Sequence, residues 1–212
     1  MAVARKAVFV DKDGTLIENI PFNVDPRLIH FTAGAERGLR VLADAGYEIV
    51  VVSNQSGVAR GYFEERALEG VQRRLREMLA AAGLEMSGFY YCPHLPEGRV
   101  QGYGKACECR KPLPGLLTRA AADLRLDLAS SWMIGDILHD VEAGTRAGCG
   151  SVLLDAGNET EWQLSPLRVP QFVARDLEEA AAFITSVGPL VHSWDTMTAA
   201  MRNEIAVMGG SV

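Results

Sequence analysis

Hydrophobic and polar positions alternate along the chain between short apolar runs and longer stretches with apolar residues at helical spacing. The apolar, β-branched runs predict buried strands at 7–10, 47–52, 89–91, 131–134, 150–154 and near Phe172. The helical spacing predicts helices at 33–45, 64–82, 113–126, 138–147 and 177–185. Repeated strand–helix alternation indicates an α/β fold, a Rossmann-like doubly wound parallel sheet with helices on both faces.

Two segments depart from this alternation. Residues 93–112 contain Gly, Pro and charge without any period, and a structureless loop of that length inside a domain needs a cause. A further helical pattern at 196–208 follows the last predicted strand–helix unit. We therefore expect one domain over residues 1–186 and a tail over 187–212, which docks on the domain, joins an oligomer or is mobile. A monomer is the simplest expectation.

Composition narrows the class of protein. The 212 residues suit one domain with a small appendage, and 27 acidic against 21 basic side chains leave a net charge of −6. That balance disfavours a nucleic-acid or anionic-membrane partner. No apolar run approaches the ~20 residues of a membrane span and no signal-peptide pattern is found, so we expect a cytoplasmic protein. Four cysteines are too few for a disulfide scaffold.

Polar residues follow three of the predicted strands. Asp11 and Asp13 follow the first strand, Ser53 the second and Asp136 the strand at 131–134. The carboxyl ends of parallel strands share one edge of the sheet, so the three carboxylates gather there and repel unless a cation lies among them. A few oxygen ligands favour Mg²⁺, which shares its remaining coordination positions with a phosphate. The alternative is that each Asp only caps a helix or turn.

The same edge carries the groups that phosphoryl transfer requires. Ser53 offers a hydroxyl, the turn after it offers backbone N–H groups, and Arg110 and Lys111 offer positive charge. An ionised aspartate such as Asp11 attacks phosphorus and forms an acyl phosphate. A second carboxyl two residues on, at Asp13, protonates the leaving oxygen and then activates water.

Three cysteines and one histidine lie in the long loop. Cys92 and His94 form one short pair, and Cys107 and Cys109 form another. Together they supply the Cys₃His set of a closed, structural zinc site. The alternatives are a disulfide with two groups left over, which a reducing cytoplasm disfavours, or four unrelated residues. Because Arg110 and Lys111 directly follow Cys109, zinc here would also orient these two cations.

The motif order resembles the haloacid dehalogenase superfamily over residues 6–185, and the motifs are specific. They are Asp11-Lys-Asp13-Gly14-Thr15, Ser53, Lys111 and Gly135-Asp136-x-x-x-Asp140. The resemblance implies that Asp11 is the nucleophile, Asp13 the general acid/base, and Ser53 and Lys111 the phosphoryl clamps. It also implies a Mg²⁺ site, for which we expect Asp11, Asp13 and Asp136 as ligands. An aspartate at position 13 points to a phosphatase.

The zinc pattern, with Ser53-Asn-Gln-Ser-Gly57 upstream, resembles the heptose bisphosphate phosphatases of that superfamily. Their relatives include histidinol-phosphate phosphatases and polynucleotide 3′-phosphatases. The resemblance implies that Arg110 recognises substrate and that two segments line the site, with Asn19 and Phe22 in one and Asn54 and Gln55 in the other. The family commonly has a lysine directly after the first aspartate of the last motif, whereas this chain has Ile137 there.

The gaps between motifs bear on the substrate. Residues 14–52 and 54–110 have room for a loop, helices and the zinc segment but not for a separate cap domain, so we expect a capless, open site. The expected partner is a small phosphorylated sugar, and neither nucleic acid nor membrane. The alternatives are histidinol phosphate or another small phosphomonoester, and, in a different class, a non-catalytic zinc-stabilised binding domain.

Overall fold

The computed structural model describes residues 5–163 and 165–187, which form a six-stranded, entirely parallel sheet in the order β3-β2-β1-β4-β5-β6. The strands are β1 (Lys6–Asp11), β2 (Tyr47–Asn54), β3 (Met86–Cys92), β4 (Trp132–Gly135), β5 (Gly150–Leu154) and β6 (Phe172–Ala174). All six coincide with predicted strands, which confirms the α/β reading of the hydrophobic pattern.

Six α-helices lie in the described residues: α1 (Ala35–Asp44), α2 (Gly57–Arg60), α3 (Ala67–Ala81), α4 (Gly115–Leu124), α5 (Leu138–Ala147) and α6 (Leu177–Val187). Five of them match predicted helices within a few residues. The sequence analysis missed α2, because a single turn is too short to show a helical period. The helical pattern at 196–208, and with it the expected tail, lies outside the described residues.

The sheet is buried on both faces because side chains of successive strand residues point to opposite sides. In β1, Ala7 and Phe9 pack into one apolar cluster, whereas Val8 and Val10 pack into the other. Helices α1, α3 and α6 cover the larger cluster, and α4 and α5 cover the smaller one. This explains why the strands have continuous apolar runs instead of an apolar–polar alternation.

The strand order places the site at the centre of the sheet. The chain runs outward from β1 to β3 and then returns to add β4 on the other side of β1. Ligands of open α/β sheets bind where this reversal occurs, outside the carboxyl ends of the strands. Asp11 ends β1 and Asp136 follows β4, so the two carboxylates flank the reversal.

The long segments between motifs contain only the elements given above and one 3₁₀ turn at Pro26–Leu28. Residues 93–114 contain neither helix nor strand, as expected for the loop with the cysteines. Within the described ranges the gaps between Asp13 and Lys111 therefore hold no separate cap. Within the described part of the chain, no helix is long and apolar enough to cross a bilayer.

Candidate active site

Three buried carboxylates meet at the carboxyl edge of the sheet. Oxygen atoms of Asp11, Asp136 and Asp140 all lie within 4.8 Å of one another. Two glycines permit this approach: a Cβ at Gly14 would lie 2.2 Å from Asp136 Oδ2, and one at Gly135 would lie 2.2 Å from the Asp140 Cβ. Gly14 also has a φ of +84°, which favours glycine over residues with side chains.

Lys111 is the cation that Asp11 and Asp140 share. Its buried Nζ bonds Asp11, lies 2.6 Å from Asp140 Oδ1 and donates to the Val52 carbonyl at 3.3 Å. Burial opposes the charged lysine, but the two carboxylates outweigh it and raise the pKa of Lys111. Burial raises the pKa of Asp11, and burial together with the Asp140 charge raises the pKa of Asp136 to about 6.

This charge balance fits a divalent cation. Three carboxylates face one lysine, so the cluster has more negative than positive charge when all four groups are ionised. The candidate ligands are oxygen atoms only, the set that Mg²⁺ prefers. The Thr15 hydroxyl donates to Asp136 Oδ1 at 3.1 Å, which holds that carboxylate and leaves its Oδ2 toward Gly14. The residues present therefore fit Mg²⁺.

The Asp13 side chain does not belong to this cluster. Its carboxylate pairs with Lys12 Nζ at 2.7 Å and accepts from Gln55 Nε2 at 3.1 Å. The Mg²⁺ ligation expected of Asp13 stays a prediction, and the third side chain beside Asp11 and Asp136 is that of Asp140. Asp13 lies beyond the end of β1, where the chain has turned.

Gln55 connects two of the predicted site residues. Its Nε2 donates to Ser53 Oγ at 2.7 Å as well as to Asp13 Oδ2. Both Ser53 and Gln55 are buried, whereas Asp13 is partly exposed toward the cavity described below. One amide therefore joins the hydroxyl at the end of β2 to the carboxylate after β1.

Asn54 holds the backbone of Lys111. Its Nδ2 donates to the Lys111 carbonyl and its Oδ1 accepts from the Lys111 N–H, both at 3.0 Å. The resemblance implied substrate binding for Asn54, but both polar atoms of its amide are engaged within the chain. Its sequence position, 57 residues before Lys111, contained no signal of this contact.

A cavity of about 190 Å³ opens beside Asp13. It is lined by the loop after β1, including Asn19 and Phe22, and by the turn after β2, including Asn54 and Gln55. Asn19 Nδ2 donates to Asn158 Oδ1 at 3.4 Å, so the loop after β5 contacts the loop after β1. The structure therefore brings the expected substrate-facing segments together around one opening.

The four zinc candidates also converge. The three sulfur atoms lie 3.1–3.5 Å apart, and His94 Nδ1 lies 3.4 Å from Cys109 Sγ and 3.7 Å from Cys92 Sγ. Donors of a tetrahedral zinc site are about 3.4–3.8 Å apart at ordinary bond lengths. All three cysteines are free thiols, so the disulfide alternative finds no support. Burial raises the pKa of Cys92, and a cation would offset the cost of its thiolate.

Two contacts connect these clusters to neighbouring segments. Arg110 Nη1 donates to the His94 carbonyl at 3.4 Å, so the expected substrate-recognition residue contacts the Cys/His loop.

Glu159 Oε2 accepts from the Leu138 N–H at 2.7 Å and so satisfies a free donor at the start of α5. The sequence analysis missed Glu159, which follows β5 without any motif. It quoted Asp140 within a motif but assigned it no role.

Comparisons with known proteins identify relatives. The HAD-hydrolase-like family profile matches residues 108–180. The chain is 36% identical to the D-glycero-β-D-manno-heptose-1,7-bisphosphate 7-phosphatase of Escherichia coli K12, with 85% of this chain and all of that protein covered. It is 40% identical to the protein of the same name from Photorhabdus laumondii, over 70% of this chain and 79% of that protein.

Solved structures show the same similarity. A HAD-like phosphatase from Mesorhizobium loti superposes with a TM-score of 0.75 at 33% identity, covering 87% of this chain and 88% of that chain. The D,D-heptose 1,7-bisphosphate phosphatase from B. bronchiseptica, solved with magnesium and phosphate, superposes with a TM-score of 0.73 at 28% identity. That match covers 86% of this chain and 99% of the other.

Proposed function

The chain belongs to the HAD-like hydrolases, in the family of the heptose bisphosphate phosphatases, and on that premise we propose that it removes the 7-phosphate of D-glycero-D-manno-heptose 1,7-bisphosphate. The observation that carries the proposal is the cluster of Asp11, Lys111 and Asp136 beside Asp13 at the carboxyl edge of the sheet. These side chains suit the hydrolysis of a phosphoric monoester, and the similarity to phosphatases supports that activity.

In the proposed reaction Asp11 is the nucleophile. A carboxylate oxygen of Asp11 attacks phosphorus as the bond from phosphorus to the sugar oxygen breaks. Asp13 gives its proton to the departing alkoxide, then takes one from the water that hydrolyses the phospho-aspartate. The Gln55 amide holds Asp13 in place for both transfers.

Lys111 and Ser53 bind the phosphoryl oxygens as charge develops on them. Lys111 is already desolvated and held by Asp11 and Asp140, so little reorganisation is needed when the phosphoryl group enters. When bound by Asp11, Asp136 and Asp140, Mg²⁺ supplies further positive charge to the phosphoryl group. Asn54 keeps the Lys111 backbone at the end of β2.

We also propose a structural zinc ion held by Cys92, His94, Cys107 and Cys109. Its support is the set of short donor–donor distances between Cys92, at the end of β3, and the segment after it, which has no helix or strand. Zinc would fix Cys109, and with it the two cations that follow in sequence. A zinc thiolate site stays reduced in the cytoplasm, where we expect the protein to act. We expect it to act as a monomer on a small phosphorylated sugar.

The test is phosphate release by the wild type and by Asp11→Asn, with Mg²⁺ or with a chelator. We expect release from the heptose 1,7-bisphosphate in preference to histidinol phosphate and a 3′-phosphorylated oligonucleotide, and Mg²⁺-dependent turnover of p-nitrophenyl phosphate. Asp11→Asn should reduce kcat at least about 10⁴-fold, because the nucleophile is lost. Asp123→Asn, an isosteric change on the exposed face of α4, is the matched control. Wild-type rates in Asp11→Asn would contradict the mechanism.

A further inference from the structure

Lys12 is a buried lysine that has no role in the proposed reaction. Its side chain is 1% exposed, and lysine is almost never buried to this extent unless it is paired. Its Nζ donates to Asp13 Oδ1 at 2.7 Å, and Asp13 is the only acid with which it forms an ion pair among the described residues. The ammonium is therefore directed to a single carboxylate, which is that of the proposed acid/base.

The turn after β1 fixes the backbone from which the Lys12 side chain extends. The N–H groups of Leu16 and Ile17 donate to the Lys12 carbonyl at 3.1 and 2.9 Å, and both of these residues are buried in the larger apolar cluster. Asp13 follows in the same turn, and its side chain is 31% exposed beside the cavity of about 190 Å³. The turn therefore holds a buried cation next to a carboxylate that lines the cavity.

A different donor holds each oxygen atom of Asp13. Lys12 Nζ bonds Oδ1, whereas Gln55 Nε2 bonds Oδ2 at 3.1 Å and is itself anchored on Ser53. A carboxylate oxygen accepts more than one hydrogen bond, so both oxygens keep a lone pair for a proton. The two contacts together fix the plane of the carboxyl group, because its rotation would break both of them.

The ion pairs of the site divide between two lysines. Lys111 bonds Asp11 and Asp140, whereas Lys12 bonds Asp13. Within the described part of the chain the two lysines share no carboxylate, so loss of the Lys12 ammonium should leave the attacking Asp11 in place. An effect of Lys12 on the reaction should therefore pass through Asp13.

We propose that Lys12 is a positioning residue for the acid/base: together with Gln55 it holds the Asp13 carboxyl group in the orientation that proton transfer requires. In this role Lys12 does not touch the phosphoryl group and acts only through Asp13. The inference rests on the proposed function, because it takes Asp13 as the group that protonates the leaving oxygen and then activates water. Such positioning matters because an acid must lie within hydrogen-bond distance of the oxygen that it protonates.

The first experiment compares two leaving groups in Lys12→Met, which keeps the length of the buried side chain and removes its ammonium. The kcat for the heptose 1,7-bisphosphate should fall about tenfold to 100-fold with little change in KM, because the sugar alkoxide leaves poorly without a positioned acid. The first turnover of p-nitrophenyl phosphate should fall less than about threefold, since nitrophenolate leaves without a proton. Later turnovers should be slower, because Asp13 must still activate water, so a burst of nitrophenolate should appear.

Two further variants complete this experiment. Lys12→Arg keeps a charged donor and should recover part of the lost kcat. Lys6→Met is the matched control: it removes an ammonium at the opposite end of β1, where Lys6 Nζ lies 4.0 Å from the centroid of the Tyr47 ring, and should leave both substrates unaffected. An equal loss in Lys12→Met for the sugar and for the first turnover of p-nitrophenyl phosphate would overturn the proposal.

A double variant tests whether Lys12 acts only through Asp13, and it does so even where Lys12→Met alone is unstable. Asp13→Asn leaves the buried ammonium without its anion, so adding Lys12→Met should give a Tm at least as high as that of Asp13→Asn. Both proteins should hydrolyse the sugar phosphate equally slowly, and a further loss in the double variant would overturn the proposal. Wild-type rates in Asp13→Asn would contradict the proposed function, whereas a slow Asp13→Asn beside a fully active Lys12→Met overturns the role of Lys12 alone.

Discussion

The carboxylate cluster and the Cys/His cluster are both suited to a metal ion, but they are assembled in opposite ways. Asp11 and Asp136 come from distant parts of the chain and are brought together by neighbouring strands β1 and β4. Cys92 ends β3, whereas His94, Cys107 and Cys109 come from the segment after it, which has no regular secondary structure. The first cluster is built by two strands of the sheet, whereas the second joins the end of one strand to an irregular segment.

This difference predicts different consequences of metal loss. The carboxylate edge has a buried lysine to offset its charge and a hydrophobic sheet beneath it, so it should persist without Mg²⁺. Residues 93–114 form no helix or strand, so binding of zinc there would supply folding free energy. The two regions meet at Lys111, whose side chain contacts the carboxylate cluster and which lies two residues after Cys109 of the Cys/His cluster.

Among the variants that test this comparison, the largest effect should come from breaking the Cys/His cluster. Cys107→Ser should lose zinc, disorder the loop and lower activity by more than about 100-fold, because Arg110 and Lys111 lose their support. Metal content by mass spectrometry, circular dichroism and phosphate release are measured on the same sample. The circular dichroism signal of the sheet should remain.

Cys149→Ala is the matched control for that variant. Cys149 is a buried thiol in the smaller apolar cluster, outside the Cys/His group, so its loss should leave zinc bound. A zinc-free Cys107→Ser protein with full activity would show that the two regions are independent.

A smaller effect is expected where the two regions are joined. Asn54→Ala removes both hydrogen bonds to the Lys111 backbone, and at about 1 kcal/mol for each the loss in kcat should be roughly tenfold to thirtyfold. Asn54→Asp keeps the acceptor for the Lys111 N–H and should be intermediate. Because Lys111 is proposed to bind the phosphoryl group, the turnover of p-nitrophenyl phosphate and that of the sugar substrate should fall equally. A loss confined to the sugar would instead identify Asn54 as a substrate contact.

The smallest effect should be stabilisation by Mg²⁺. A cation at ten times its Kd stabilises the folded state by about 1.4 kcal/mol, which raises Tm by a few degrees in a domain of this size. Thermal melting with and without Mg²⁺ should show this shift in the wild type and in Asp123→Asn. The shift should disappear in Asp136→Asn, which loses a candidate ligand. An equal shift in all three proteins would place the cation elsewhere.

The helices and strands were predictable because apolar periodicity is local. The five long helices and all six strands follow directly from it, and so does the meeting of Asp11 and Asp136, since carboxyl ends of parallel strands share an edge. The Cys/His set was also predictable, because its ligands lie close together in sequence and zinc limits the spacing. The roles of the individual residues in catalysis remain predictions.

Contacts between side chains that are distant in sequence were not predictable. The substrate contact expected of Asn54 stays a prediction, whereas nothing in the sequence predicted that its amide bonds the backbone of Lys111. Asp140 was quoted only as part of a motif, yet its carboxylate forms an ion pair with Lys111. Glu159 and Tyr62 were missed, because nothing in the sequence relates them to the start of α5 or to Phe22. Such partners depend on how loops pack, which hydrophobic periodicity does not encode.

By itself, the sequence determined the class of fold, the edge at which the chemistry lies and the residue types that could hold two metals. These follow from short-range rules, namely periodicity, strand ends and ligand spacing. Only the tertiary structure decided which carboxylates share Lys111, which amide bonds its backbone and which ring packs against Phe22. Those choices depend on distances of a few ångströms between separate loops, and only the packing of the sheet and its helices sets such distances.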